Sequence, residues 1–169
     1  MEELKQIEVY RQNASYARQH GEMAVYQRSN VANVACRNAI EEAIRQHFDG
    51  MRLDVRGAKK VLETFGAPRV LLVLANTVQQ KAWDGRFSVE NRKWAQTYEL
   101  PVDEELAGDR RSTYVVQSHP AVLDGFIQQT RRLVQERTLQ QDKERLQDKL
   151  HPAKIPAQPK KSRAAAQER

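Results

Sequence analysis

The chain is short of most of what catalysis, metal binding or membrane insertion would use. It has 1 cysteine, Cys36, so no disulfide can close within it, which suits a reducing compartment. Its 4 histidines, His20, His47, His119 and His151, are scattered, and none stands at a ligand-like spacing from Cys36. That argues against a structural zinc site, and no metal or cofactor is expected. The 7 glycines build no phosphate-cradling loop and no dinucleotide fingerprint. The longest uninterrupted apolar run is Val70-Leu71-Leu72-Val73-Leu74-Ala75, far below the roughly 20 residues that span a bilayer. The start, Met1-Glu2-Glu3-Leu4-Lys5, lacks a basic segment followed by an apolar block. No secretion signal and no membrane contact are expected, and the cytoplasm is the expected compartment.

Charge is what the chain has in quantity. Of its 169 residues 30% are charged, with a net of +6. The excess is uneven. Beyond Leu150, Lys154, Lys160, Lys161, Arg163 and Arg169 face one acid, Glu168, so residues 150–169 carry +4 and only +2 is left for the rest. A nearly neutral body thus bears a basic tail, which reads either as a solvated, disordered end or as an attractor of polyanions. In so polar a chain the apolar run must be wrapped on all sides, which makes it the centre of one small core.

Helical spacing dominates the rest. Leu4, Ile7, Tyr10, Ala14 and Ala17 predict a first helix, broken near His20-Gly21. A second runs from about Glu22 to Phe48, with Cys36, Ile40, Ala43, Ile44 and His47 on one face, and Asp49-Gly50 turns it. Val55, Ala58, Val61, Leu62 and Phe65 predict a short third helix closed by a left-handed Gly66. Pro68 then opens a fourth that holds the apolar run and ends near Trp83. Ser88 caps a fifth that includes Trp94, and a last helix begins at His119-Pro120. Residues 99–109, with Glu99, Asp103, Glu104 and Glu105, read as an acidic loop. The fold class is therefore mainly α: a single compact domain of five or six helices, with room for a small β element near 112–116, and a disordered basic tail. The expected division is a helical globular domain over residues 1–127, an exposed charged helix extension over 128–150, and the tail over 151–169.

The residues that could carry function are surface candidates rather than catalytic ones. Cys36 lies on an apolar helix face, where cysteine behaves as a small hydrophobe. Arg52, Arg56, Lys59 and Lys60, with Arg110, Arg111, Arg131 and Arg132 elsewhere, form the best nucleic-acid candidate, since phosphate contacts need several cations on one face; an ordinary solvated face has the same composition. Trp83, Asp84 and Arg86 make a turn flanked by aromatics, either a binding hot spot or a cap on the core with a local ion pair. Asn30, Asn33 and Arg37 share one helix face, either a recognition surface or a polar contact between helices.

Several stretches in order carry a resemblance: Tyr16-Ala17-Arg18-Gln19-His20-Gly21-Glu22, Asn33-Val34-Ala35-Cys36-Arg37-Asn38-Ala39-Ile40-Glu41, His47-Phe48-Asp49-Gly50-Met51, Val73-Leu74-Ala75-Asn76-Thr77, Trp83-Asp84-Gly85-Arg86 and Ser118-His119-Pro120-Ala121-Val122-Leu123-Asp124. Together they resemble an uncharacterised bacterial family, a domain of unknown function, over roughly residues 10–127. The family looks like cargo of plasmids, conjugative elements and phages of gut bacteria. The resemblance implies a mobile-element accessory protein and no known active site, so no catalytic residue is carried over. In size and helical character the chain is also similar to anti-CRISPR inhibitors of the single-effector type II nuclease. The function expected on that analogy is a stoichiometric inhibitor, not an enzyme. It would bind the RNA-guided nuclease by protein–protein interaction, with DNA or guide RNA held by the basic stripe and tail. The alternative is a DNA-binding accessory or regulatory protein of a plasmid, phage or conjugative element.

Overall fold

The computed structural model describes residues 4–100 and 114–150. Arg110, Arg111, most of the acidic loop and the basic tail 151–169 lie outside the described residues. Within them the chain is mainly helical, and apolar spacing decides most of the elements. The helices are α1 (Ala14–Gln19), α2 (Met23–His47), α3 (Arg56–Phe65), α4 (Ala67–Gln80), α5 (Val89–Ala95) and α6 (Pro120–Leu150), after one turn of 3-10 helix at Leu4–Gln6. The chain divides into two units, Met1–Arg132 and Leu133–Arg169.

The apolar run does become the centre of the first unit. Val70, Val73, Leu74 and Ala75 are fully buried and Leu72 nearly so, while Leu71 is half-buried. α4 packs against α2, α3 and α5, which supply Ile40, Ile44, Leu62, Phe65 and Ala95 to the same core. Each large side chain so buried contributes about 1.5–3 kcal/mol. Gly66 joins α3 to α4 at a bend of 115°. Its N–H donates to the Leu62 carbonyl and its own carbonyl accepts from Val70, so it closes one helix and opens the next. Its φ of 85° is positive as expected, but ψ of 150° puts it outside the left-handed helical region, in a conformation that only glycine adopts readily. No single described helix is long and apolar enough to cross a membrane.

The structure departs from the sequence reading in three places. The first helix is shorter than its spacing suggested: residues 7–13 are non-helical, and α1 starts at Ala14 with Asn13 accepting the Tyr16 N–H at 2.8 Å. A helix there would need the Ile7 and Glu8 carbonyls for itself, but the Arg69 guanidinium takes both, at 2.9 and 3.2 Å. α4 stops at Gln80 instead of near Trp83, because the Lys81 N–H is shared between the Thr77 and Val78 carbonyls and the chain turns. The β element near 112–116 is not formed among the described residues. Residues 114–116 are buried and non-helical, but their polar groups go to side chains: the Thr77 hydroxyl accepts from the Val116 N–H, and Lys81 Nζ donates to the Val116 carbonyl. The one β-bridge described is Phe48 to Leu53, across the Asp49-Gly50 turn.

α6 carries both buried and exposed apolar residues. Leu123, Phe126, Ile127 and Thr130 are buried, so burial continues one turn past the expected boundary at 127. In the second unit, Leu139, Leu146 and Leu150 are exposed and Arg145 pairs with Asp142.

Candidate functional site

α3 has two faces. Gly57, Ala58, Val61, Leu62 and Phe65 are buried, whereas Arg56, Lys59 and Lys60 are exposed, as is Arg52 just before the helix. The approach to α3 is fixed by two aspartates. The Asp49 carboxylate accepts the Met51 and Arg52 N–H groups at 2.9 and 2.8 Å, which tightens the turn at Gly50 (φ 101°). The Asp54 carboxylate accepts the Arg56 N–H at 2.9 Å, and Arg56 Nε and Nη2 at 3.0 and 2.8 Å. Chiefly through the Arg56 side chain, the Asp54 carboxyl is held down at about 2. Arg56 is therefore locally neutralised, while no ion pair among the described residues engages Arg52, Lys59 or Lys60. The cations of the stripe outside any such pair are these three.

The Trp83 turn repeats the device. Asp84 is buried, and its carboxylate accepts the Arg86 N–H and Nε at 3.0 Å and Nη2 at 2.8 Å, which holds its pKa at about 2. Phe87 anchors the turn in the core, but Trp83 is 78% exposed. The two aromatics that sequence treated together thus have opposite fates.

The third candidate does not form one surface. Asn33 is buried, and its side-chain oxygen accepts from Arg69 Nη1. Only Asn30 and Arg37 remain near solvent, with Arg37 donating to the Asn38 side chain at 2.7 and 3.1 Å. The amide-rich face is, at Asn33, a helix-to-helix contact.

Sequence reasoning missed two buried polar networks. Arg69, 1% exposed, also donates to the Ser29 carbonyl at 2.9 Å and to its hydroxyl at 3.3 Å, and so joins α2, α4 and residues 7–8. One signal was available: a cation in the first turn of a helix opposes the macrodipole, so Arg69 needed another use. In the second network Asn91, fully buried, donates to the Asp124 carboxylate at 2.8 Å and to its carbonyl at 3.1 Å, and accepts from Arg131 at 2.7 Å. Arg131 also lies 5.2 Å from the Trp94 ring centroid. Both networks tie elements together and point no reactive group outward.

Cys36 is buried, and burial pushes its thiol up to about 12, well away from a nucleophilic thiolate at neutral pH. Among the described residues, no group of three or more His, Cys, Asp and Glu side chains is placed to hold a metal ion.

Residues 9–135 match the model of a family described as a protein of unknown function, DUF3849, a wider span than the expected 10–127. No curated protein matches the chain, and no solved structure matches it.

Proposed function

This chain belongs to the DUF3849 family, and we propose that it works as an accessory protein of a mobile element, docking the exposed face of α3 on a nucleoprotein. The partner we propose is an RNA-guided nuclease of the type II CRISPR class, held in an inhibited state by one equivalent of this protein. The observation that carries the reading is the division of α3: an apolar face locked into the core opposite Arg52, Lys59 and Lys60, which no acid among the described residues engages. Cations fixed on one face of a rigid helix suit a phosphate backbone, whose contacts position a protein without reading sequence. A nuclease loaded with its guide presents such a backbone beside positively charged protein channels.

The test is cleavage of a target duplex by a purified nuclease–guide complex as this protein is added. Inhibition saturating near one equivalent supports the reading, and the Lys59→Glu, Lys60→Glu pair weakens it. Absence of binding and of inhibition across several such nucleases refutes it. The same face favours a second reading, a DNA-binding accessory, because free duplex offers the same phosphates. That reading requires a salt-dependent complex with duplex alone, with a log–log slope that drops by about 2 in the same double variant. A gel shift at low salt without a retarded band eliminates it.

A further inference from the structure

We infer that the turn around Trp83 is a preorganised stacking platform for an unpaired nucleobase, so that the nucleic acid engaged at this point is single-stranded. The inference rests on the nucleoprotein reading above and adds to it the form of the nucleic acid. It starts from a mismatch between rigidity and exposure. An indole 78% exposed leaves a large apolar area in water, which a flexible turn would fold back onto the protein. This turn cannot. The buried Asp84 carboxylate accepts three donors from Arg86, and the Asp84 N–H donates to the Lys81 carbonyl at 2.9 Å. Lys81 Nζ is tied to the Val116 carbonyl, and Phe87, 1% exposed, is fixed in the core. The backbone on both sides of Trp83 is therefore set before any partner arrives, which removes ordering cost from binding.

The charges select the ligand class. Lys81 and Arg86 flank Trp83 in the chain, and Asp84 between them is paired with Arg86. The Arg86 side chain is 55% exposed, and its Nη1 lies outside the Asp84 pair. A partner complementary to this turn carries negative charge next to a flat apolar face. Nucleic acid has both, phosphates and bases, and aromatic stacking with cationic backbone contacts is how single strands are held. In a duplex each base face is covered by its neighbours, so an exposed indole meets none. An acidic protein surface matches the charge but not the planar face.

The experiment is fluorescence anisotropy of the full chain with a labelled mixed-sequence single strand of about 20 nucleotides, and with the same sequence as duplex. Trp83→Ala is expected to weaken single-strand binding roughly 5- to 150-fold, Trp83→Phe far less, and neither to change duplex binding. Because Trp83 is exposed, circular dichroism of the variants should be unaltered. Equal single-strand affinity of wild type and Trp83→Ala overturns the inference, as does a wild type that binds no single strand. It also falls if Trp83→Ala impairs only capture of nuclease protein free of nucleic acid, which would make the turn a protein contact. Should Lys59→Glu, Lys60→Glu still weaken the nucleoprotein complex in any of these cases, the reading of α3 stands and this inference alone fails.

Discussion

Arg69 offers the sharpest test of how the body is held together. It is a buried cation with no carboxylate in its set of described partners; carbonyl, hydroxyl and amide oxygens surround it instead, and burial lowers its pKa from the ordinary value. Replace it by methionine and count the acceptors left behind. The Ser29 carbonyl keeps its partner within α2, and the Ser29 hydroxyl still accepts the Tyr10 N–H at 3.0 Å. The Ile7 and Glu8 carbonyls lie on a partly exposed segment that water reaches. Only the Asn33 oxygen is stranded inside, at about 1–3 kcal/mol. Two charge-assisted bonds to segment 7–8 disappear as well, at about 1.5–3 kcal/mol each, against relief of several kcal/mol of charge desolvation. The balance is a destabilisation of about 2–3 kcal/mol, a drop of about 5–10 °C in melting temperature for a chain of this size. Asn33→Leu alone should cost a similar amount, because it strips the cation of an acceptor. The double variant, with both polar partners gone, should recover at least half of the summed loss. Urea unfolding of the four proteins gives the coupling. A coupling below about 0.5 kcal/mol would show that Arg69 and Asn33 act independently, and the reasoning would be refuted.

Other consequences are simpler to read. A Cβ at Gly57 would meet His47 Cδ2 at 3.0 Å and the Ala43 Cβ at 3.3 Å, so Gly57→Ala should destabilise by about 1–3 kcal/mol in urea. Gly125→Ala meets nothing within 4 Å on α6 and should stabilise by about 0.5–1 kcal/mol; the opposite order would contradict the packing described. Asp84 is held at about 2, below the roughly 3.9 of an unfolded aspartate, so its stabilisation is complete above that unfolded value and is lost as pH falls from about 4 to about 2. Unfolding midpoints should decline over that window, less so in Asp84→Asn; equal acid sensitivity would count against the pairing. Cys36 should resist a thiol-reactive dye at pH 8 until denaturant is added, and rapid labelling of the folded chain would mean that it is not enclosed as described.

Much of the architecture was legible because burial of a periodic apolar face is a local signal. α2, α3 and α5 lie within a residue or two of where spacing, the Asp49-Gly50 turn and the Ser88 cap placed them. What spacing could not show was any element whose fate depended on a distant donor. Segment 7–13 has helical periodicity, yet it is non-helical, and Arg69, far along the chain, claims the Ile7 and Glu8 carbonyls. Residues 114–116 are β-prone, yet Thr77 and Lys81 satisfy Val116 in place of a neighbouring strand. The candidate surface was legible at Arg52, Lys59 and Lys60, where exposure follows from lying opposite an apolar stripe. It was not legible at Asn33, because a polar residue on a helix can face water or a buried partner with the same spacing. Trp83 and Phe87 show the same ambiguity among aromatics: both flank one turn, yet Phe87 is buried and Trp83 exposed.

The two candidate contacts share a construction that separates geometry from charge. Asp54-Val55-Arg56 leads into α3 and Asp84-Gly85-Arg86 carries the Trp83 turn; in each, a carboxylate clamps the backbone N–H and the guanidinium of the arginine two residues on. The arginine that looks like a free cation is in both cases partly a structural brace; at α3 the charge left to attract a polyanion belongs to Arg52, Lys59 and Lys60, and at the Trp83 turn to Lys81 and the Arg86 Nη1 outside the clamp. Replacing either aspartate by asparagine raises the net charge by one. If attraction alone governed binding, Asp84→Asn would hold single strands more tightly. If the brace matters, it should hold them about 2- to 12-fold more weakly, because a loosened turn must be ordered again on binding. The sign of that change, measured at one fixed salt concentration, distinguishes a preorganised surface from a merely basic one.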